Sequence, residues 1–300
     1  MGMLDGKVAV ITGAGRGLGR DHALLMAQEG AKIVVNDIGS EWDGTGKATG
    51  PADDVVKEIK AAGGEAASSF ESVADFEGAK KIINCAVDTF GKLDILVNNA
   101  GFLRDKMTFN MSKEEWNAVI DVHLTGTFNC GRWACSYWRE QSKAGKTING
   151  RIISTMSHAG LLGNAGQPNY ASAKLAIGAL TIVWAREMAK YNVTCNAIVP
   201  MARTRMTTQT TAVSGMFAAP EGDQFDEMAP DNVSPLVAYL ATDHAAGITG
   251  RWLSIRGGKL EVWLPPQMGK GIDIGRKWTT KEISERISEL GSLGIPGADF

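Results

Sequence analysis

Short runs of apolar, mostly β-branched residues alternate with longer segments of helical period along most of this 300-residue chain, and that alternation constrains the fold more than any other feature. Residues 7–12 (KVAVIT), 32–36 (KIVVN), 95–98 (ILVN), 151–154 (RIIS), 193–199 (VTCNAIV) and 252–255 (WLSI) read as strands. Residues 67–70 are a weaker candidate, since only Phe70 favours a strand. Near-continuous apolar character suits strands buried on both faces, as in a parallel sheet. Helices are expected at 19–29, 53–62, 76–90, 114–138, 170–191 and 235–241. Repeated β-α alternation predicts an α/β fold, a doubly wound parallel sheet with helices on both faces and right-handed crossovers. No Pro/Ser-rich linker or shift of composition divides the chain. A single domain over residues 1–258 is therefore expected, with 259–300 as an extension packed on it and a polar helix at 281–290.

Composition narrows the function classes. The chain is 44% hydrophobic and 21% charged, with a formal net charge of −2 and a pI of about 6.1. A nucleic-acid partner, which demands a basic face, is not expected. Cys85, Cys130, Cys135 and Cys195 show no CxxC or metal-like pairing, so no metal is expected and the thiols suit a reducing compartment. The first residues, MGMLDGKVAVITG, lack a basic stretch followed by an apolar one. No apolar run approaches the ~20 residues that span a bilayer. A soluble, cytoplasmic protein without membrane contact is the expectation.

The first strand runs directly into Thr12-Gly13-Ala14-Gly15-Arg16-Gly17-Leu18-Gly19, where a helix follows. Glycines there let the backbone turn tightly and approach a pyrophosphate, while the helix N-terminus offers unpaired N–H groups and the positive end of its dipole. A glycine turn alone is weak; between the first strand and the first helix it points to a dinucleotide site in a Rossmann fold. Asp37 ends the second strand, 18 residues beyond Gly19. A carboxylate there can accept both hydroxyls of an adenosine ribose and would repel a 2′-phosphate, which favours NAD over NADP. Arg16 pulls the other way, because a guanidinium near the same ribose suits NADP.

Tyr170 and Lys174 stand four apart in Tyr-Ala-Ser-Ala-Lys, a spacing that puts both on one helical face. A phenol titrates near ~10, too high for a base at neutral pH, unless an adjacent ammonium and a positive nicotinamide favour its ionised form. Ser157, just past a strand, could meet the same substrate oxygen or simply satisfy loop backbone groups. The long Gly-rich stretch 39–51 after the second strand fits no regular element. Residues 200–234 read as a loop with Met201, Met206, Met216, Phe217 and Met228, suited either to closing over an apolar ligand or to ordinary packing. Arg203 and Arg205 in that loop could meet phosphates or be solvated.

As a set, TGAGRGLG (12–19), NNAG (98–101), Ser157 thirteen positions before Tyr170, and YASAK (170–174) resemble the short-chain dehydrogenase/reductase superfamily over residues 4–258. VVNDIG (34–39), NNAGFLRDK (98–106), VHLTGTF (122–128) and GNAGQPNYASAKL (163–175) resemble more closely the (3R)-hydroxyacyl-CoA dehydrogenase units of type 2 peroxisomal multifunctional enzymes. The chain lacks counterparts of their other units and is expected to be a stand-alone dehydrogenase. The resemblance implies Tyr170 as acid/base, Ser157 orienting the substrate oxygen, and Lys174 holding the nicotinamide ribose and lowering the tyrosine's pKa. It places Gly13, Arg16, Gly17, Leu18, Gly19, Asp37, Ser72, Val73, Asn99 and Gly101 at the cofactor. His123 stands where most members carry a catalytic Asn, and Pro200-Met201 replaces the usual Pro-Gly. The implied reaction interconverts a secondary alcohol and a ketone with NAD, the substrate being an acyl-CoA, with a bulky or steroid-derived acyl group among the candidates. Alternatives are an NADPH-linked 3-oxoacyl-thioester reductase, a steroid or polyol dehydrogenase, and a non-catalytic cofactor-binding sensor. A homodimer or homotetramer is expected, because residues 170–191 are apolar on more than one face.

Overall fold

The computed structural model describes residues 2–204, 219–220 and 224–291. The chain forms two compact units, residues 1–263 and 264–300.

The first unit is built on one sheet. Its strands are β1 (Val8–Thr12), β2 (Lys32–Asn36), β3 (Ala66–Ser69), β4 (Ile95–Asn98), β5 (Gly150–Thr155), β6 (Val193–Pro200), β7 (Trp252–Arg256) and β8 (Lys259–Trp263). Their order is β3-β2-β1-β4-β5-β6-β7-β8; every pairing from β3 to β7 is parallel, and β8 runs antiparallel to β7. The doubly wound α/β expectation stands, and the weak third strand is real, one residue earlier than expected. Strand β8 was not anticipated. Gly257, at a φ of 50°, and Gly258 form a two-residue turn that pairs Arg256 with Lys259. The compact unit therefore runs to Trp263, five residues past the boundary expected at 258.

The helices are α1 (Gly17–Gln28), α2 (Gly50–Ala61), α3 (Phe76–Phe90), α4 (Lys113–Ile120), α5 (Gly126–Lys143), α6 (His158–Leu162), α7 (Pro168–Met188) and α8 (Ser234–Ala241). Alternate residues of β1 feed opposite cores, as the strand period requires. Ala9 and Ile11 pack with Met26 of α1, Ile59 of α2 and Leu240 of α8. Val8 and Val10 pack with Ile82 of α3, Trp138 of α5 and Trp184 of α7. Burying such side chains on both faces is worth roughly 1.5–3 kcal/mol each, which is why the strands read as unbroken apolar runs.

The helix expected over 114–138 is interrupted. Asp121–Thr125 forms a π-helical turn between α4 and α5 and buries His123. A π turn admits one extra residue and re-aims the side chains it carries. No helix of the described residues is long and apolar enough to cross a membrane. In the second unit, α9 (Thr280–Arg286) starts at a capping box between Thr279 and Glu282 and continues as a turn of 3-10 helix over Ile287–Leu290.

Candidate active site

Strand order reverses between β1 and β4, and in open α/β sheets the crevice at such a point, beyond the carboxyl ends of the strands, receives ligands. A cavity of about 760 Å³ lies there. It is lined by Gly13, Arg16, Gly17, Leu18, Asp37, Ser72, Val73, Asn99, Gly101, His123, Ser157, Tyr170 and Lys174. Of the catalytic and cofactor residues picked from the glycine turn, the strand ends and YASAK, Gly19 stays off the wall. It supports the turn from behind: a Cβ there would lie 2.2 Å from the Gly13 carbonyl oxygen.

At one end the glycine turn is fixed from below. Gly13 has a φ of 63°, and a Cβ on it would come within 2.7 Å of Ala100 Cα, so only glycine lets the β1 and β4 loops approach this closely. Asn99 stitches the two loops, donating from Nδ2 to the carbonyls of Thr12 and Gly13, both at 3.1 Å. Its amide is thus occupied with the turn, although the residue also lines the cavity. Helix α1 begins after Arg16 with no side chain capping its first N–H groups, which leaves that anion-binding end open to the cavity. Asp37 stands across from it and accepts from Gly15 N–H (2.8 Å) and Gly39 N–H (2.7 Å). Uncapped N–H donors, a close-approach glycine and a carboxylate acceptor are the groups that fit a dinucleotide's phosphates and ribose.

At the other end, β5 delivers Ser157 and α7 delivers Tyr170 and Lys174. Ser157 caps the short α6, its Oγ accepting from Ala159 N–H at 3.2 Å. Tyr170 is the third residue of α7, and its N–H donates to Asn169 Oδ1 at 2.7 Å. Lys174 is buried, with Nζ 5.5 Å from the Tyr170 ring centre and donating to the Thr155 carbonyl at 2.7 Å. Burial lowers its pKa to about 7. Burial is also the largest influence on Tyr170 and pushes its phenol up, with the Ser157 hydroxyl pulling down and the Asp105 charge adding to the rise. The lowering of the phenol that the resemblance implies is therefore not built into the protein alone.

His123 is enclosed. Its Nε2 lies 3.1 Å from Phe102 N and 2.8 Å from Phe102 O, so either neutral tautomer finds a partner there. Its Nδ1 is buried without one. The ring stands edge-on to Tyr170, centres 5.1 Å apart. Burial, aided by the Lys174 charge, lowers its pKa to about 3. It is neutral at any working pH.

Sequence reasoning missed several wall residues. Glu41 and Trp42 come from the Gly-rich loop after β2, whose tip docks on Leu103 and Arg104 through the carbonyls of Trp42 (3.2 Å) and Asp43 (3.1 Å). The loop's unusual length was the only signal. Met201 and Met228 line the cavity as the methionine-rich loop suggested. Arg203 does not reach outward as a phosphate ligand; its guanidinium is ion-paired with Asp226 within the same loop. Arg205, Met206, Met216 and Phe217 lie outside the described residues.

A parallel sheet with a glycine turn at its switch point and a Ser-Tyr-Lys set across the same cavity defines a nicotinamide-nucleotide oxidoreductase acting on CH–OH groups. The short chain dehydrogenase family model matches residues 7–214, and the chain belongs to that family. It is 42% identical to the hydroxyacyl-CoA dehydrogenase ChsB1 of Mycobacterium tuberculosis, over 99% of this chain and 92% of that one. It is 48% identical to the peroxisomal multifunctional enzyme type 2 of Drosophila melanogaster over 79% of this chain, but spans only 36% of that enzyme. A crystal structure of a short chain dehydrogenase from Mycobacterium avium superposes with a TM-score of 0.86 at 48% identity, covering 98% of this chain and 97% of that one.

Proposed function

We propose that this protein interconverts a (3R)-3-hydroxyacyl-CoA and the corresponding 3-oxoacyl-CoA, with NAD as the hydride carrier. One observation carries the reading: a single cavity joins the Asp37 end to the Ser157–Tyr170–Lys174 end and has Met201 and Met228 on its wall. Those thioethers suit an irregular apolar acyl chain, and the likeness to a hydroxyacyl-CoA dehydrogenase along nearly its full length supports the substrate class.

NAD, held by the glycine turn and Asp37, would supply the hydride acceptor for the carbinol carbon. The remaining work falls to the protein. Ser157 holds the substrate oxygen in hydrogen-bond reach of Tyr170. The Tyr170 phenolate accepts the hydroxyl proton as the C–H bond breaks, and the phenol returns it in reduction. Lys174, seated on the Thr155 carbonyl, would hold the nicotinamide ribose through its ammonium. Together with the positive nicotinamide it favours the phenolate that burial alone disfavours. His123 acts as a neutral hydrogen-bonding group through Nδ1 in place of the family's Asn. A second reading, NADPH-linked reduction of a 3-oxoacyl thioester, is favoured by Arg16 on the cavity wall and by 35% identity, over 85% of this chain, to the 3-oxoacyl-[acyl-carrier-protein] reductase FabG of Thermotoga maritima.

The test is steady-state oxidation of (3R)- and (3S)-3-hydroxyacyl-CoA, the matching N-acetylcysteamine thioester, and free steroid and polyol alcohols, each with NAD. The (3R)-acyl-CoA should show the highest kcat/KM and a KM well below that of the truncated thioester. A steroid alcohol or polyol that outperforms every acyl-CoA overturns the substrate assignment and leaves the dehydrogenase.

A further inference from the structure

Asp37 alone does not account for the electrostatics at the adenosine end. Each of its oxygens already accepts one backbone N–H, from Gly39 and from Gly15, which fixes the carboxylate and leaves a second lone pair on each for ribose hydroxyls. The neighbouring cation is Arg16, whose guanidinium would match a 2′-phosphate. That guanidinium is engaged: it donates to the Ser40 carbonyl at 3.4 Å and lies 3.6 Å from a Glu41 carboxylate oxygen.

Glu41 is held where it stands. Its N–H donates to the Thr45 carbonyl at 2.7 Å and its own carbonyl accepts from Gly44 N–H at 3.0 Å. The loop is closed at its neck by Ala48 N–H on the Ile38 carbonyl (3.0 Å), and a Cβ on Gly39 would lie 1.9 Å from the Ala48 carbonyl oxygen. At its tip a Cβ on Gly44 would meet the Phe102 ring at 2.8 Å. A loop fixed at neck and tip holds the Glu41 backbone where its carboxylate reaches Arg16.

We propose that Glu41 is a second cofactor-specificity residue, which occupies Arg16 and adds a negative charge at the site a 2′-phosphate would take. Glu41 and Arg16 thus form a charge lock against NADP, and the inference rests on the reading of this site as NAD-binding. Arg16 and Glu41 are 38% and 53% exposed in their side chains, so the pair itself is weakly held and the effect of the lock is moderate.

The experiment compares kcat/KM with NADP and NAD in the parent, Glu41→Gln, Arg16→Gln and the double variant. Calorimetric titration with adenosine 2′,5′-bisphosphate and with 5′-AMP gives a readout that does not depend on turnover. Glu41→Gln should raise the NADP-to-NAD ratio about three- to tenfold, and tighten the bisphosphate relative to 5′-AMP by a similar factor. In the Arg16→Gln background the same change should lose more than half of that gain, because the freed guanidinium is what captures the phosphate. A ratio that stays within about 1.5-fold in Glu41→Gln, or a gain undiminished without Arg16, overturns the lock. A parent that uses both cofactors equally refutes the NAD reading instead, and the lock then stands or falls on whether Glu41→Gln shifts the ratio.

Discussion

Gly101→Ala tests the packing that sets His123 against Tyr170. A Cβ at position 101 would lie 2.1 Å from His123 Cε1 and 2.7 Å from its Nδ1, whereas carbon atoms pack at ~3.5–4.0 Å. The ring must therefore retreat by about 1.5 Å or the 98–101 turn must move. Neither is easy. Nε2 is held by the Phe102 backbone, the ring centre lies 5.1 Å from that of Tyr170, and the residue is 1% exposed. Overpacking of this kind costs about 1–3 kcal/mol, and losing the Phe102 hydrogen bond adds about 1 kcal/mol. A loss of about 2–4 kcal/mol corresponds to a drop of roughly 5–10 °C in Tm for a domain of this size. A ring pushed toward Tyr170 should also lower kcat at least tenfold, since about 1 Å of misplacement can cost ~100-fold. Scanning calorimetry and steady-state kinetics read the two effects. The discriminating measurement is the double-mutant cycle: once His123→Ala has emptied the space, Gly101→Ala should cost less than about 1 kcal/mol. A Tm within 1 °C of the parent would refute the reasoning, as would an equal cost of Gly101→Ala in both backgrounds.

Three further outcomes follow from the same geometry. Tyr170→Phe should lower turnover by ~10²–10⁴-fold while NADH affinity, read by fluorescence titration, changes little; retention of more than about a tenth of the activity would assign the acid elsewhere. Lys174 has a pKa of about 7 in the folded protein against 10.5 ordinarily, so between those values the unfolded chain binds the extra proton and stability rises with pH. The stability difference between the parent and Lys174→Met should therefore move in the parent's favour from pH 7 to 10, by up to about 1.4 kcal/mol per pH unit, and a flat difference in denaturant titrations refutes it. Phe128 on α5 and Leu175 and Val183 on α7 are 43%, 42% and 47% exposed, and sedimentation at micromolar concentration should show these faces covered in a homo-oligomer; a clean monomer refutes that.

The fold was legible because burial on both sides leaves its mark on every strand that has it. β2, β4 and α3 match the sequence boundaries, and each is bordered by glycine, aspartate or proline signals or by a sharp loss of apolar character. β8 escaped for the converse reason: it is an edge strand whose Leu260 and Val262 are 58% and 56% exposed, so Lys259–Trp263 reads as an ordinary polar-apolar mixture. Its only local mark was the Gly257-Gly258 pair. The π turn at Asp121–Thr125 escaped because apolar periodicity continues through it. One inserted residue shifts the phase of α5 against α4 without breaking the helical pattern, and His123 is buried as a result.

The site divides along the same line. Tyr170 and Lys174 were legible as neighbours on one helical face because their spacing records it, and the roles given to them and to Ser157 came from the resemblance. The state of Arg16 was not, because what decides it is a carboxylate 25 positions away on a loop with no regular period. From the sequence Arg16 reads as a free cation that weakens the case for NAD; in the fold it is paired with Glu41, the contact on which the proposed exclusion of NADP rests. The lowering of Lys174 to about 7 was hidden in the same way, since it comes from the depth at which α7 buries its ammonium and not from any neighbour in the chain. With Lys174 near neutrality and Tyr170 pushed up, the protein by itself holds the proton on the phenol. A positive nicotinamide bound beside Tyr170 and Lys174 would shift that balance toward the phenolate.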